Sequence, residues 1–226
     1  MRYSHIVRGV FVDRPNRFIA NVEVDGEVFV CHVKNTGRCR ELLIKGVTVV
    51  LEASKNPLRK TKFDLVAVYK GDKLINIDSQ APNAVFGEWA RTSGFFGEAP
   101  TVRAEQTYGS SRFDYYVEHD GRRAYVEVKG VTLEHDGVVM FPDAPTERGV
   151  KHINELIKAK KDGFDAYLFF VVQMEECRYF TPNRVTHRAL ADALCEARRE
   201  GVDIRAYCCN VSEDGMTIKE PVDVVL

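Results

Sequence analysis

The sequence predicts an α/β (α+β) chain in which an OB-like β-barrel precedes an α/β domain with a mixed central sheet. Three observations lead there. Residues 5–80 carry short apolar segments broken by Gly and Asp-Gly turns, the pattern of antiparallel strands. Residues 82–226 instead interleave helical and strand patterns, the order of an α/β domain. Between them, Gln80-Ala81-Pro82-Asn83 interrupts both patterns and divides the chain into 1–81 and 82–226.

In the first part, residues 5–12, 18–24 and 27–33 read as three strands, the second turning into the third at Asp25-Gly26. Residues 39–44, CRELLI, predict one helical turn or a short helix ending at Gly46. Residues 47–53 and 63–69 give two more strands, and Gly71-Asp72 precedes a short last one at 73–78. A short helix between the third and fourth of five strands is the OB-fold order; an SH3-like barrel is the alternative.

In the second part, Asn83 is placed as the N-cap of a helix running to Thr92, with Val85, Phe86, Trp89 and Ala90 on one face and Ser93-Gly94 as the stop. Residues 102–108 are a further strand. Residues 111–130, SRFDYYVEHDGRRAYVEVKG, form two strands joined at His119-Asp120-Gly121, where Asp-Gly supplies the positive φ that a tight hairpin needs. A second turn at His135-Asp136-Gly137 adds a third antiparallel strand, GVVMF. Thr146 caps a helix running to Lys161, with Val150, Ile153 and Ile157 buried and Arg148, His152 and Glu155 on the opposite face. The almost wholly apolar 165–173 is a central strand covered on both sides. Asn183 starts a last helix ending at Gly201, and residues 203–211 are the final strand.

The formal net charge is −1, so overall charge points to no partner. Its distribution is more informative: residues 1–80 hold 14 basic and 9 acidic residues, the remainder 18 and 24. A basic front part suits a nucleic-acid-binding module. Its cations gather in connections: Arg17 after the first strand, Lys34, Arg38 and Arg40 after the third, and Lys55, Arg59, Lys60 and Lys62 before the fifth. Tyr3, Phe11, Phe18 and Phe29 are available to stack on bases. None of the six cysteines forms a C-x-x-C pair, which removes zinc-ribbon and thioredoxin-like readings. The chain shows no signal-peptide core and no membrane-length apolar run, so a cytoplasmic protein with reduced thiols and no membrane partner is expected. G-x-G-x-x-G, P-loop and G-x-S-x-G motifs are absent.

The chemistry concentrates in the 111–130 hairpin. Glu127 and Lys129, two apart on a strand, project from one face about 7 Å apart. The Asp-Gly turn brings Asp114 opposite Glu127. Two carboxylates and an ammonium on one face can hold a divalent cation and a polarised water; a solvated surface ion pair, worth roughly 0–1 kcal/mol, is the competing reading.

Asp114 followed by Glu127-x-Lys129, on this order of helices and strands, resembles the PD-(D/E)XK nuclease superfamily, which includes restriction endonucleases and Holliday-junction resolvases. More specifically, RPNRF (14–18), NTGR (35–38), SSRFDYYV (110–117), YVEVKGVTLE (125–134) and FPDAPTERGVKH (141–152) resemble the sugar fermentation stimulation protein A (SfsA) family. The chain departs from that pattern at Lys34-Asn35, where Pro-Asn is frequent, and at Gly130, where a polar residue is common. The resemblance implies an OB-like domain, a restriction-endonuclease-like α/β domain and DNA binding of open strandedness. It also implies Mg²⁺ or Mn²⁺ as cofactor, held by Asp114, Glu127 and the Val128 carbonyl, with Lys129 on the water or the phosphate and Glu105 or Glu88 as a further acidic ligand. DNA contacts are expected from Arg17, Lys34, Asn35, Arg38, Arg59, Lys60 and Lys62 of the barrel, and from Arg112, Arg148, Lys151 and His152; Arg112 either clamps phosphate or pairs with a carboxylate. The expected function is metal-dependent DNA hydrolysis, with a non-cleaving DNA-binding regulator of sugar-utilisation genes as the alternative. Homodimer formation stays open.

Overall fold

The structure, a computed structural model, describes residues 1–35 and 37–226; Thr36, within the NTGR segment, lies outside the described residues. Its first six strands are β1 (Ile6–Asn16), β2 (Ile19–Val24), β3 (Glu27–Val33), β4 (Thr48–Ala53), β5 (Phe63–Lys70) and β6 (Lys73–Asn76). They pair in the order β3-β2-β1-β4-β5-β6, and a parallel contact of β3 with β5, His32↔Asp64 and Val33↔Leu65, closes the barrel. Alternation decides which side chains enter: on β2, Ala20, Val22 and Val24 are buried while Glu23 faces solvent. Asp25 and Gly26 both take positive φ, the tight turn expected of Asp-Gly.

The helix expected at 39–44 is reduced to hydrogen-bonded turns. Leu42 N and Leu43 N both donate to Cys39 O, at 3.2 and 2.9 Å, and the chain then leaves helical geometry. A segment this short cannot offset the cost of helix nucleation, so burial of Leu42 and Leu43 fixes it instead.

The second part contains α1 (Ala81–Thr92), β7 (Thr101–Tyr108), β8 (Ser111–His119), β9 (Arg122–Val131), β10 (Leu133–His135), β11 (Val138–Phe141), α2 (Glu147–Lys161), β12 (Asp165–Val172), β13 (Tyr179–Pro182), α3 (Arg188–Arg199), β14 (Asp203–Ser212) and β15 (Gly215–Val222). Its main sheet runs β15-β14-β12-β9-β8-β7, with β9, β12 and β14 parallel and both flanks antiparallel. β12 is central as expected: Phe169 and Val171 face the layer of α1, while Leu168 and Phe170 face the core shared with α2 and α3.

Several expectations are corrected. The third antiparallel strand of the main sheet is β7, not β11; β10 and β11 leave it and join β13 in a separate three-stranded sheet. Asn83 does not cap α1: Gln80 is the N-cap, Pro82 occupies the first turn, and Asn83 lies inside the helix. Asn183 accepts from Thr186 N in a turn, and α3 begins at Arg188 behind His187. β15, not 203–211, is the last strand, and His152 is buried rather than on the open face of α2.

The two parts share a polar seam. Asn76 N donates to Gln173 O at 2.9 Å, and Gln173 Nε2 donates to Asn76 O, Asn76 Oδ1 and Asp78 O at 3.0–3.1 Å. Around it one apolar core is continuous from Phe11 and Ile75 of the barrel to Val131, Val139 and Met174. Among the described residues, no helix is long and apolar enough to cross a membrane.

Candidate functional site

The β8–β9 ladder ends at Tyr115↔Val126, and beyond that point side chains replace the backbone pairing. Asp114, the next residue on β8, accepts Val128 N–H through Oδ2 at 2.8 Å and Asn83 Nδ2 through Oδ1 at 2.9 Å. Asn83 is itself fixed because its carbonyl accepts from Tyr115 Oη at 2.7 Å. The first turn of α1 therefore sets where the Asp114 carboxylate sits.

Glu127 is held from the other side of the sheet. Period two on β9 sends Val126 and Val128 into the layer beneath α1 and turns Glu127 and Lys129 towards α2. There, Glu127 Oε1 meets His152 Nδ1 at 2.5 Å and also the Lys129 ammonium. His152 Nε2 accepts from Arg148 Nε at 3.3 Å, which assigns the proton on Nδ1 to the bond with Glu127. α2 can present this buried histidine because Thr146 caps it, Oγ1 accepting from Gly149 N at 3.1 Å.

The two carboxyls titrate in opposite directions. Burial and the neighbouring Glu127 charge push Asp114 up, against the Val128 N–H and Lys129. Burial also pushes Glu127 up, but His152 and Lys129 outweigh it and hold Glu127 below the usual glutamate value. Glu127 is 2% exposed, and its Oε2 is buried without a hydrogen-bond partner. An orphaned buried carboxylate oxygen beside a second carboxylate is costly in the chain alone, a cost that a bound cation would offset.

Among the described residues no three His, Cys, Asp or Glu side chains converge in metal-ligating geometry. The candidate donors are thus two carboxylates, hard oxygen ligands of the kind that suit Mg²⁺ or Mn²⁺, ions that keep several waters, better than a metal needing an all-protein cage. Neither further acidic candidate joins it: Glu88 pairs with the Met1 amino group at 2.6 Å, and Glu105 is exposed and pairs with Arg112 at 3.5 Å. Val128 enters through its N–H to Asp114.

The expected DNA contacts separate into committed and open groups. Lys34 pairs with buried Asp78 at 2.7 Å, and Arg59 grips Asp64 through both terminal nitrogens. Asn35 Nδ2 donates to Ile77 O at 2.8 Å, and Lys151 Nζ to Ser110 O at 3.1 Å. Arg148 and His152 serve Glu127. Arg17, Arg38, Lys60 and Lys62 are exposed, with Lys62 lying 5.2 Å from the Phe29 ring centre.

Two positioning roles escaped the sequence reading, which has Asn83 as an N-cap and His152 as a DNA contact, and both had a signal. Pro82 in a first helical turn places the start of α1 ahead of it, which puts Asn83 inside the helix. Gly149, His152, Ile153, Leu156 and Ile157 share one 3.6-residue stripe, so His152 belongs to the buried face despite its polarity. Gly130 also finds its reason: a Cβ there would collide with Gln173 Oε1 and Pro82 Cγ.

Comparison with known proteins covers the whole chain. The family model described as "Sugar fermentation stimulation protein RE domain" matches residues 80–215, and that described as "SfsA N-terminal OB domain" matches residues 12–77. A sugar fermentation stimulation protein homolog of Desulfitobacterium hafniense is 54% identical over 226 residues, covering 100% of this chain and 99% of its own. One from Clostridium beijerinckii is 52% identical, with 100% of both chains covered. A solved structure of Pyrococcus furiosus SfsA in complex with Ca²⁺ superposes with a TM-score of 0.91 at 27% identity, covering 100% of this chain and 98% of that one.

Proposed function

The chain belongs to the sugar fermentation stimulation protein family, and we propose that it binds DNA and hydrolyses phosphodiester bonds with a divalent cation held by Asp114 and Glu127. The observation that carries this reading is the unpartnered Glu127 Oε2 beside an Asp114 whose carboxyl is pushed up. The Ca²⁺ in the Pyrococcus furiosus relative supports a cation of the same class here.

Each side chain then has a separate task. Asn83 and the Val128 N–H fix Asp114, leaving the remaining lone pairs of its two oxygens for the ion. His152, steadied by Arg148, fixes Glu127 through Oε1 so that Oε2 stays free. Lys129 is partly exposed and neutralises Glu127 in the metal-free chain; its ammonium is also within reach of a phosphate oxygen or the attacking water, where it stabilises developing negative charge. A bound divalent cation supplies an acidified water and offsets charge on the phosphate.

The test incubates labelled single-stranded, double-stranded and branched DNA with Mg²⁺ or Mn²⁺, comparing wild type with Asp114→Ala and Lys129→Ala. Cleavage that needs the metal is expected. Asp114→Ala should lose both cleavage and metal binding. Lys129→Ala should keep metal binding while losing about 10²–10³ in rate, the scale of one transition-state donor. DNA that is bound but never cut, with either ion, would replace this reading with the non-cleaving regulator.

A further inference from the structure

The barrel end that carries Arg17 holds more positive charge than any ion pair uses. Arg14, on β1, donates Nη1 to Arg38 O at 2.7 Å and Nη2 to Arg17 O and Asn35 O at 2.7 and 2.8 Å. Three carbonyls thus tie the β1–β2 loop and the segment after β3 into facing walls of a cleft of about 440 Å³, lined also by Arg40 and Leu43. Among the described residues, none of Arg14, Arg17, Arg38 or Arg40 forms an ion pair. Burial, then the nearby Asp143 and Glu41, push the Cys39 thiol up to about 12, yet neither carboxylate pairs with these arginines. Four guanidinium groups around one cleft, without a counter-ion from the chain, call for an anion from outside.

The rim adds a stacking surface. Phe18 is 47% exposed at the tip of the β1–β2 loop, with the Arg17 guanidinium 5.1 Å from its ring centre. Asn16 Oδ1 accepts from Phe18 N and Ile19 N and holds that tip in place. Elsewhere on the barrel, Lys62 lies 5.2 Å from the Phe29 ring centre, but Phe29 is half-buried against Phe63 and the core. A cation beside the open aromatic face of Phe18, next to the arginine cleft, is the arrangement that grips a polynucleotide through its phosphates and an unpaired base.

The cleft also leads somewhere. Gly37 lines it and, at the same time, a smaller gap of about 190 Å³ between the barrel and the second part, whose far wall includes Gly130, Thr132 and Gln173. Gly130 directly follows Lys129. Pro82, which flanks Gly130, directly precedes Asn83, the residue that holds Asp114, and Asp143 is the one carboxylate lining that gap.

We propose that the arginine cleft and the Asp114–Glu127 site are two ends of one track, and that it carries a single-stranded DNA segment. This rests on the phosphodiester reading above. A duplex offers no open base face to Phe18, whereas a single strand offers phosphates to the arginines and an unpaired base to the ring.

The test is fluorescence anisotropy of the full-length protein with a short labelled oligothymidylate and with a blunt duplex, both in EDTA. Wild type should bind the oligothymidylate more tightly. Combining Arg17→Ala, Arg38→Ala and Arg40→Ala, with Arg14 kept to hold the loops, should weaken that binding and lower the slope of log affinity against log salt by roughly 2, at about 0.7 per single-strand contact. Phe18→Ala should weaken it about 5- to 150-fold, the value of one stacked base. Asp114→Asn should keep oligothymidylate binding and lose cleavage. Duplex bound as tightly as oligothymidylate by wild type, or an unchanged affinity and salt slope in both the triple variant and Phe18→Ala with thermal stability intact, overturns the track. If these variants do lose single-strand binding but wild type never cuts, the cleft stands and the nuclease reading falls.

Discussion

Asp114 and Glu127 are neighbours in one site, yet folding treats them oppositely, and this has a measurable consequence. The Asp114 pKa is raised in the folded chain, by burial and then by Glu127. The metal-free fold is therefore penalised as pH rises above the unfolded aspartate value of about 3.9, and the penalty is complete above the folded value. Glu127, lowered through His152 and Lys129 despite its burial, has the reverse sign: its contribution is present above the unfolded value and is lost as pH falls through the folded one. Asp114→Asn removes the penalised charge, and the Asn83 amide can turn to pair with it. In EDTA at neutral pH the variant should melt above wild type. The gap should shrink as pH falls towards about 4, and excess Ca²⁺ should reverse the order by stabilising only the wild type. Melting curves across pH decide it; a variant less stable than wild type in EDTA at neutral pH contradicts the assignment of Asp114 as strained. Asp114, Glu127 and Lys129 were legible in the sequence because period two is a local property of a strand. Pro82 signalled that Asn83 lies inside α1 and the 3.6-residue stripe signalled that His152 is buried, but their polarity suggested a cap and a solvated face.

At the scale of elements, the connection between β4 and β5 shows how charge in a sequence misleads. Arg59, Lys60 and Lys62 read as one basic loop, but the fold divides them. Arg59 holds Asp64 through two hydrogen bonds, and His32 Nδ1 adds a third at 2.8 Å, which pins β5 where it closes against β3. Burial alone would raise Asp64, but Arg59 and His32 bring it below the ordinary aspartate value. Arg59→Ala should therefore cost about 1–3 kcal/mol in chemical denaturation, the range for hydrogen bonds to a charged group, trimmed because Arg59 is partly exposed. It should leave the salt dependence of DNA binding unchanged. Replacing Lys60 and Lys62 together should do the opposite. A flattened salt slope in Arg59→Ala with unaltered stability would return that arginine to the proposed DNA-contacting surface. Non-local pairing was the general obstacle at this scale: the turn at Asp136-Gly137 was readable, but β11 takes β13 as its parallel partner from about forty residues downstream. β13 itself is only four residues, and β15 contains Pro221, so neither gave a strong strand signal.

For the whole molecule, the architecture changes between β6, which ends at Asn76, and α1, which starts at Ala81, while the packing across that change is that of one core. Gln173 is 2% exposed and donates to three acceptors on the stretch leaving the barrel, and Lys70 of the barrel bonds Glu134 O and Oε2 at 2.8 and 2.6 Å. Such a seam makes separate unfolding of the two parts expensive, because it would expose continuous apolar core and unpair buried polar groups together. Trp89, the only tryptophan, sits among Phe86, Phe95, Phe169 and Tyr207 and reports the second part alone, whereas far-UV circular dichroism reports both. In wild type the two signals should change at the same urea concentration. Gln173→Leu strips the amide donor shared by Asn76 O, Asn76 Oδ1 and Asp78 O, leaving Asp78 O only its bond from Ala81 N. Loss of that buried donor costs about 1–3 kcal/mol and should pull the two transitions apart. Because Gln173 also rests against Gly130, next to Lys129, the same variant should weaken the proposed cation binding, read as Ca²⁺ affinity, although it touches neither carboxylate. Two transitions already present in wild type would show that the seam does not couple the halves. Coincident transitions in the variant, with unchanged Ca²⁺ affinity, would show that the site is positioned by its own sheet and helices alone.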